Sequence, residues 1–304
     1  MLASMLFVVL GGLAISIQVP TNAALSKHVG ALQTTLMSFM LDLCLLALIV
    51  ALTGSFPGMA GAAGVPLWEF LGGFAGAVSV CLTVIATPHL GVALELTMFM
   101  LGQLLMGMVV DEWGLFGSSA IAVVPLRIFG AILVIAGIAS IYQGRKGSSN
   151  TGRAPEHLAR FCAVAFASGV ASAIQSPINA TLAKSAGVFG ASLMNFIVGT
   201  IFLLVVTLIV QKGKLHSVKG LAPWKLVGGA YGIVYTIANV VATPIIGVGL
   251  MMACGMLGQL SGGMAVDTWG LLEAPRVKVD RWRIVGILVI AAGICCIAAA
   301  KVLG

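Results

Sequence analysis

Charge is what this sequence has least of. Of 304 residues, 16 are Lys or Arg and 9 are Asp or Glu, 8% together, against about 25% in an ordinary soluble domain. So few charges cannot cover a water-facing surface of this size, which excludes a soluble enzyme and a disordered chain. Paired cysteine motifs are missing too. Cys44, Cys81, Cys162, Cys254, Cys295 and Cys296 lie in apolar runs and none forms a CxxC pair, so they read as small buried side chains, not a disulfide framework. There is no HExxH, GxSxG or Walker sequence and no metal-ligand cluster, so no catalytic residue, metal or cofactor is expected, and ATP-driven pumping by this chain alone is disfavoured. The amino-terminal apolar stretch has no basic segment before it, so a cleaved signal peptide is not expected.

What is abundant is hydrophobicity, at 60% of residues. A bilayer core takes about 20 apolar residues per helix. Five such runs fall at roughly 4–26, 31–53, 67–87, 91–111 and 122–143. The segment 144–158, polar, basic and rich in Gly and Ser, reads as a linker. Five more runs follow at roughly 160–183, 188–210, 224–243, 247–266 and 283–302. The expected fold is an all-α polytopic membrane protein of ten transmembrane helices. Its expected domains are 1–143, a linker at 144–158, and 159–304.

The second five runs repeat the first. Gln18, Pro20, Asn22 and Leu25 match Gln175, Pro177, Asn179 and Leu182; Phe39 matches Phe196; Gly72, Gly73 and Gly76 match Gly228, Gly229 and Gly232. Met100-Leu-Gly-Gln-Leu104 matches Met256-Leu-Gly-Gln-Leu260, and Trp113-Gly-Leu115 matches Trp269-Gly-Leu271, at a steady offset of 156 or 157 residues. An odd number of spans per copy sets the copies upside down relative to each other, the inverted-repeat plan of many secondary carriers. The basic residues agree: thirteen of the 16 fall on the linker side and only Arg127, Lys184 and Lys301 on the other. By the positive-inside rule the linker is then cytoplasmic and both termini are outside. This also accounts for the net charge of +7 without a nucleic-acid partner.

An ionisable residue within a span is costly and is a functional candidate by default. Asp42, near the centre of the second run, and Glu95, one turn into the fourth, are read as proton-coupling candidates; their counterparts are Gly199 and Met251, so the charge is not duplicated. Asp111 and Asp267, at run ends beside Trp113 and Trp269, read as interfacial anchors. The substrate-binding candidates are the duplicated polar groups Gln18, Asn22, Gln103, Gln175, Asn179 and Gln259, with Ser38 one turn before Asp42 and its counterpart Asn195. Gln18 and Asn22 share a helix face, as do Gln175 and Asn179, and the intervening prolines free backbone carbonyls nearby. The same amides could equally join helix to helix. Phe39, Phe99, Phe196 and the methionines Met98, Met100, Met251, Met252 and Met256 either line a pocket or fill the bundle, and His89 is a candidate relay at a span end.

The pattern Gln18/Asn22, Ser38-Phe39, Gly72-Gly73, Gly102-Gln103-Leu104 and Asp111 with Trp113-Gly114 resembles the drug/metabolite transporter superfamily, and within it the YdcZ-type family, a domain of unknown function numbered 606. Each half matches one whole domain, so the chain resembles a fused two-domain form, departing at Asn195 where the family's usual residue is Ser. The resemblance implies a bacterial inner-membrane carrier, an exporter by family habit, with a small-molecule substrate and the lipid bilayer as partners. One chain could then suffice as an internal pseudo-dimer. The more distant small multidrug exporters use a first-helix Glu, whereas Gln18 and Gln175 leave these sites uncharged. The expected function is secondary active transport of a small metabolite or drug-like solute by alternating access. The rival readings are an uncoupled channel or facilitator, a non-transporting scaffold or sensor, and, least favoured, an intramembrane enzyme.

Overall fold

The computed structural model describes residues 1–54, 61, 64–90, 92–121, 124–146, 158–273 and 280–303; most of the expected linker, 147–157, lies outside them. Among the described residues there is no β-strand, and ten helices carry the fold. They are α1 (Leu2–Val29), α2 (Ala31–Thr53), α3 (Leu71–Leu90), α4 (Val92–Trp113), α5 (Pro125–Lys146), α6 (158–186), α7 (188–210), α8 (Gly228–Ile246), α9 (Val248–Trp269) and α10 (Arg281–Leu303). Helices are what such apolar runs must form, because hydrocarbon offers no partner to an unpaired peptide group. Among the described residues six helical stretches are long and apolar enough to cross a membrane; one of them, Leu158–Val210, is α6 and α7 end to end. The chain is thus an all-α polytopic membrane protein. Large apolar side chains that face outward, among them Leu6, Leu10, Leu48, Leu52, Ile201, Ile209 and Leu288, suit contact with lipid.

The corners repeat as the sequence does. α1 meets α2 at Gly30 (φ 80°) and α6 meets α7 at Gly187 (φ 71°), a backbone region that favours glycine. The turns after α4 and α9 also match: Phe116 and Leu272 both sit at φ 56°. Pro20 and Pro177 lie inside helices that run through them without a break. Beside Pro20 the Thr21 hydroxyl donates to the Ile17 carbonyl at 2.8 Å.

The two halves are interleaved. α1 packs on α8 and α9, while α3 and α4 pack on the 158–210 stretch. Glycines permit this, as expected where helices must associate by close packing instead of by water exclusion. A side-chain carbon at Gly12 would strike the Gly255 backbone; one at Gly258 would strike Val9, and one at Gly102 would strike Phe166. α5 and α10 pair with each other through Gly130 against Gly293 and Gly137 against Gly286. The numbers in these pairs also give helix directions. α5 and α10 are antiparallel. So are α1 and α8, where Gly228 meets Asn22 and Gly11 meets Tyr235. α1 runs parallel to α9 (Val9 near Gly258, Ser16 near Gly262), and α4 runs antiparallel to α9 (Gly107 near Gly249, Leu96 near Gly263). α3 runs antiparallel to α6 (Gly72 near Asn179, Gly76 near Gln175, Ser79 near Ser168), and α4 folds back against α3, so α4 runs parallel to α6. Corresponding helices α1 and α6 therefore point opposite ways. Met100, Leu104, Met251, Met252, Met256 and Ile290 are wholly buried in the main core; of the expected pocket candidates, these four methionines are packing.

Candidate functional site

A cavity opens where the halves interleave. Measured to the centres of water-sized spheres it holds about 70 Å³, room for about five waters. α1 contributes Gln18 and Asn22, α2 Phe39 and Asp42, α3 Gly76, Ser79 and Thr83, α4 Glu95 and Phe99, α6 Ser172 and Gln175, α7 Phe196, and α8 Gly232, Tyr235 and Thr236. The wall thus has donors from both halves.

The polar residues reach this wall because glycines face them. A side-chain carbon at Gly72 would collide with the Asn179 amide and one at Gly76 with that of Gln175. In the other half, Gly228 stands against Asn22, and a carbon at Gly232 would lie 3.1 Å from both Asp42 Oδ2 and Gln18 Nε2. The glycines of each half hold open the niche for the amides of the other. The amide pairs beside Pro20 and Pro177, expected to form a polar niche, thus have these glycines opposite them.

The amides behave in two ways. Ser38 Oγ donates to Asn22 Oδ1 at 2.9 Å; at the counterpart position Asn195 Oδ1 accepts from Gln175 at 3.0 Å and from Asn179 at 2.9 Å. Gln103 Nε2 donates to Ser172 Oγ and to the Tyr235 hydroxyl, both at 2.9 Å. Its counterpart Gln259 is wholly buried and has the Tyr235 hydroxyl as a polar neighbour. Gln18, Asn22 and Gln175 line the cavity; Ser38, Asn179, Asn195, Gln103 and Gln259 lie outside its wall.

Both carboxyls line it as well. Asp42 is 1% and Glu95 0% exposed; among the described residues Asp42 Oδ1 has no hydrogen-bond partner, and the neutral Thr83 hydroxyl is the polar neighbour of Glu95. Burying such groups without partners is expensive. Phe39 and Phe196, counterparts in the two halves, meet edge to face with ring centres 5.4 Å apart and form part of the same wall. Tyr235, Thr83 and Thr236 were not singled out from the sequence. Hydroxyl side chains are frequent in apolar helices, and only the fold sets these three at one opening.

A second, larger cavity of about 200 Å³ lies at the end of the bundle away from the linker, beside Asp111, Gly117, Thr181, Lys184 and Gly247. Its charged groups are already engaged. Lys184 Nζ donates to the Gly117 carbonyl at 2.9 Å. Asp111 pairs with Arg127 and accepts the backbone N–H groups of Val248 and Gly249, each at 2.7 Å. Asp111 is wholly buried, so its reading as an interfacial anchor is corrected: it clasps the amino-terminal end of α9, where helix dipole and free N–H groups favour an anion. The side chain of Asp267 lies outside the described residues. His89 is exposed at the end of α3 and stacks on Phe161 with ring centres 3.8 Å apart, away from the first cavity.

Comparisons with known proteins bear on the same chain. The profile of the family described as "Putative inner membrane exporter, YdcZ" matches residues 3–140 and again 161–296. No curated protein matches. One solved structure, described only as a crystal structure of a protein, superposes over 98% of each chain with a TM-score of 0.67 and 16% identity, a likeness of fold alone.

Proposed function

The chain belongs to the YdcZ family of inner-membrane exporters, and from that membership we propose that it is a secondary carrier that passes a small solute through the cavity between its halves by alternating access. The observation that carries this reading is the cavity itself: a buried opening between the two halves, walled by both, with two carboxyls that no basic side chain meets among the described residues. A scaffold has no use for so costly an arrangement. Asp42 and Glu95 are the proton-coupling groups, and Gln18, Asn22 and Gln175 the amides that meet the solute. Gln103, Asn179, Asn195, Ser38 and Gln259 shape the wall from behind.

In this reading the two halves lie inverted across the bilayer with ten spans, the linker cytoplasmic and both termini outside. The opposed directions of α1 and α6 support it, as does the excess of basic residues on the linker side. The cavity draws on the first turn of α4 (Glu95) and the second and third turns of α8 (Gly232, Tyr235 and Thr236), both of which start at the linker end, and the clasp of Asp111 with Arg127 and α9 closes the other end. That is an inward-facing arrangement. Export then requires the clasp to yield as the linker end closes.

The test is access to the cavity. In a background with all six native cysteines replaced, Val80→Cys and Thr236→Cys each place a thiol on the wall. Both are expected to react with a membrane-impermeant thiol reagent applied from either face, in vesicles that carry no single-channel current. Reaction from one face only would overturn alternating access; a steady current would make the protein a channel.

A further inference from the structure

We infer that the solute is a small organic cation, a protonated amine or amidinium, and that it enters the cavity in exchange for a proton. This rests on the cavity being the transport site and adds the chemical class of what it carries.

The charge of the wall is one-sided. Among the described residues the titratable groups that face the opening from α1, α2, α3, α4, α6, α7 and α8 are Asp42, Glu95 and the Tyr235 phenol; no Lys, Arg or His lines it. An anion would enter a low-dielectric opening with two acids and nothing to neutralise it. A neutral solute would leave the carboxyl oxygens unmatched or tied to their protons. A cation offers what Asp42 Oδ1 and the two Glu95 oxygens lack, a charged partner at close range.

The neighbours of the two acids fit the same occupant. Phe39 stands three residues before Asp42 on α2, and Phe99 four residues after Glu95 on α4, so each acid has a phenyl ring on its own helix face, and both rings line the cavity. Ring faces attract a desolvated cation. The remaining wall supplies the Gln18 and Gln175 amides and the Thr236 hydroxyl, groups able to meet N–H donors or a polar tail.

Size and stoichiometry follow. A space of about 70 Å³ to sphere centres corresponds to a solute of about five to eight heavy atoms, by the volume that about five waters take up. A monocation that arrives at a neutral carboxyl displaces one proton: the carboxyl loses H⁺ to the solution, the cation takes its place, and the net charge of the occupied site is unchanged.

Equilibrium binding to the purified full-length chain in detergent tests this without transport. Tetramethylammonium and n-butylammonium are titrated by calorimetry in two buffers of different ionisation enthalpy, which counts protons released per cation bound. tert-Butanol, acetate and the bulky tetraphenylphosphonium are the controls. The expected result is binding of at least one small cation with release of about one proton, so that affinity falls about tenfold for each unit of acidification, and neither control of like size binds. Asp42→Asn or Glu95→Gln, or both, is expected to weaken the cation at least tenfold. The proton count on the unmodified chain stands even where a variant folds badly. Failure of both small cations to bind, binding without proton release, equal binding of tert-butanol or of tetraphenylphosphonium, or unchanged affinity in both variants overturns the inference. Cysteine access from both faces would still leave the protein a carrier, and cation binding with access from one face would leave the site without the carrier.

Discussion

Asp42 has no counterpart acid because its counterpart position is occupied by something else. A side chain at Gly199 would run into the Phe39 ring, so a second carboxyl there would break the Phe39–Phe196 contact. A single acid on α2 is therefore the consequence of a phenyl pair drawn equally from both halves. Asp42→Asn keeps the shape and removes the titration. For any solute that stabilises the purified protein, flux in proteoliposomes should persist in this variant but no longer respond to a pH gradient; unchanged response would remove Asp42 from the coupling. The amide pairs give a second prediction at this scale. Asn195 accepts two hydrogen bonds where Ser38 donates one. At about 1 kcal/mol for each lost bond, Asn195→Ala should lower the apparent melting temperature more than Ser38→Ala, which a paired thermal scan would decide.

Between elements, the ends of the bundle are held by unlike devices. The Asp111–Arg127 clasp is buried, and Arg127→Met leaves the Asp111 carboxylate facing helix N–H groups alone. Removing one partner of a buried pair costs about 3–5 kcal/mol, so this variant should melt far below the parent, and adding Asp111→Asn should recover part of the loss. At the linker end Lys225 Nζ meets Glu273 Oε1 at 2.8 Å with the carboxylate side chain 45% exposed. The hydrogen bond from Lys225 holds the Glu273 carboxyl below its ordinary value. Whatever this pair adds is present above that ordinary value and fades as pH falls through the depressed one. Glu273→Gln should then change melting by only a few tenths of a kcal/mol near neutrality and flatten the response to acid. A fall as large as that of Arg127→Met would show that the two ends are equally held. The contrast also marks what could be read in advance. Asp42 and Glu95 stand out in any apolar run, and the doubled Gln and Asn residues announce themselves by their spacing. Asp111 does not: its partners Val248 and Gly249 lie 137 and 138 residues away, and beside Trp113 it has the local look of a membrane-surface residue. Tyr235 is hidden for the same reason, being joined to Gln103 across 132 residues. Long-range pairing, not local pattern, separates the legible part of the site from the rest.

For the molecule as a whole, duplication predicts two similar halves, but their interleaving makes neither self-sufficient. α1 finds its packing on α8 and α9, α3 and α4 find theirs on the 158–210 stretch, and α5 finds its own on α10. Each glycine that holds open an amide niche belongs to the opposite half from the amide. A half on its own would expose Gln18, Asn22 and Asp42, or Gln175 and Asn179, to lipid with no glycine-floored niche to receive them, and unmatched polar groups in hydrocarbon are costly. Residues 1–146 and 158–304 expressed separately should therefore be degraded or self-associate, whereas the two expressed together should assemble into a one-to-one complex that melts as a unit and keeps the thiol reactivity of Thr236→Cys. The linker serves then to fix that ratio, not to build the site. If residues 1–146 alone gave a stable monomer, with its own melting transition and no affinity for 158–304, the cavity could not owe its walls to both halves, and a site at their junction would lose its foundation.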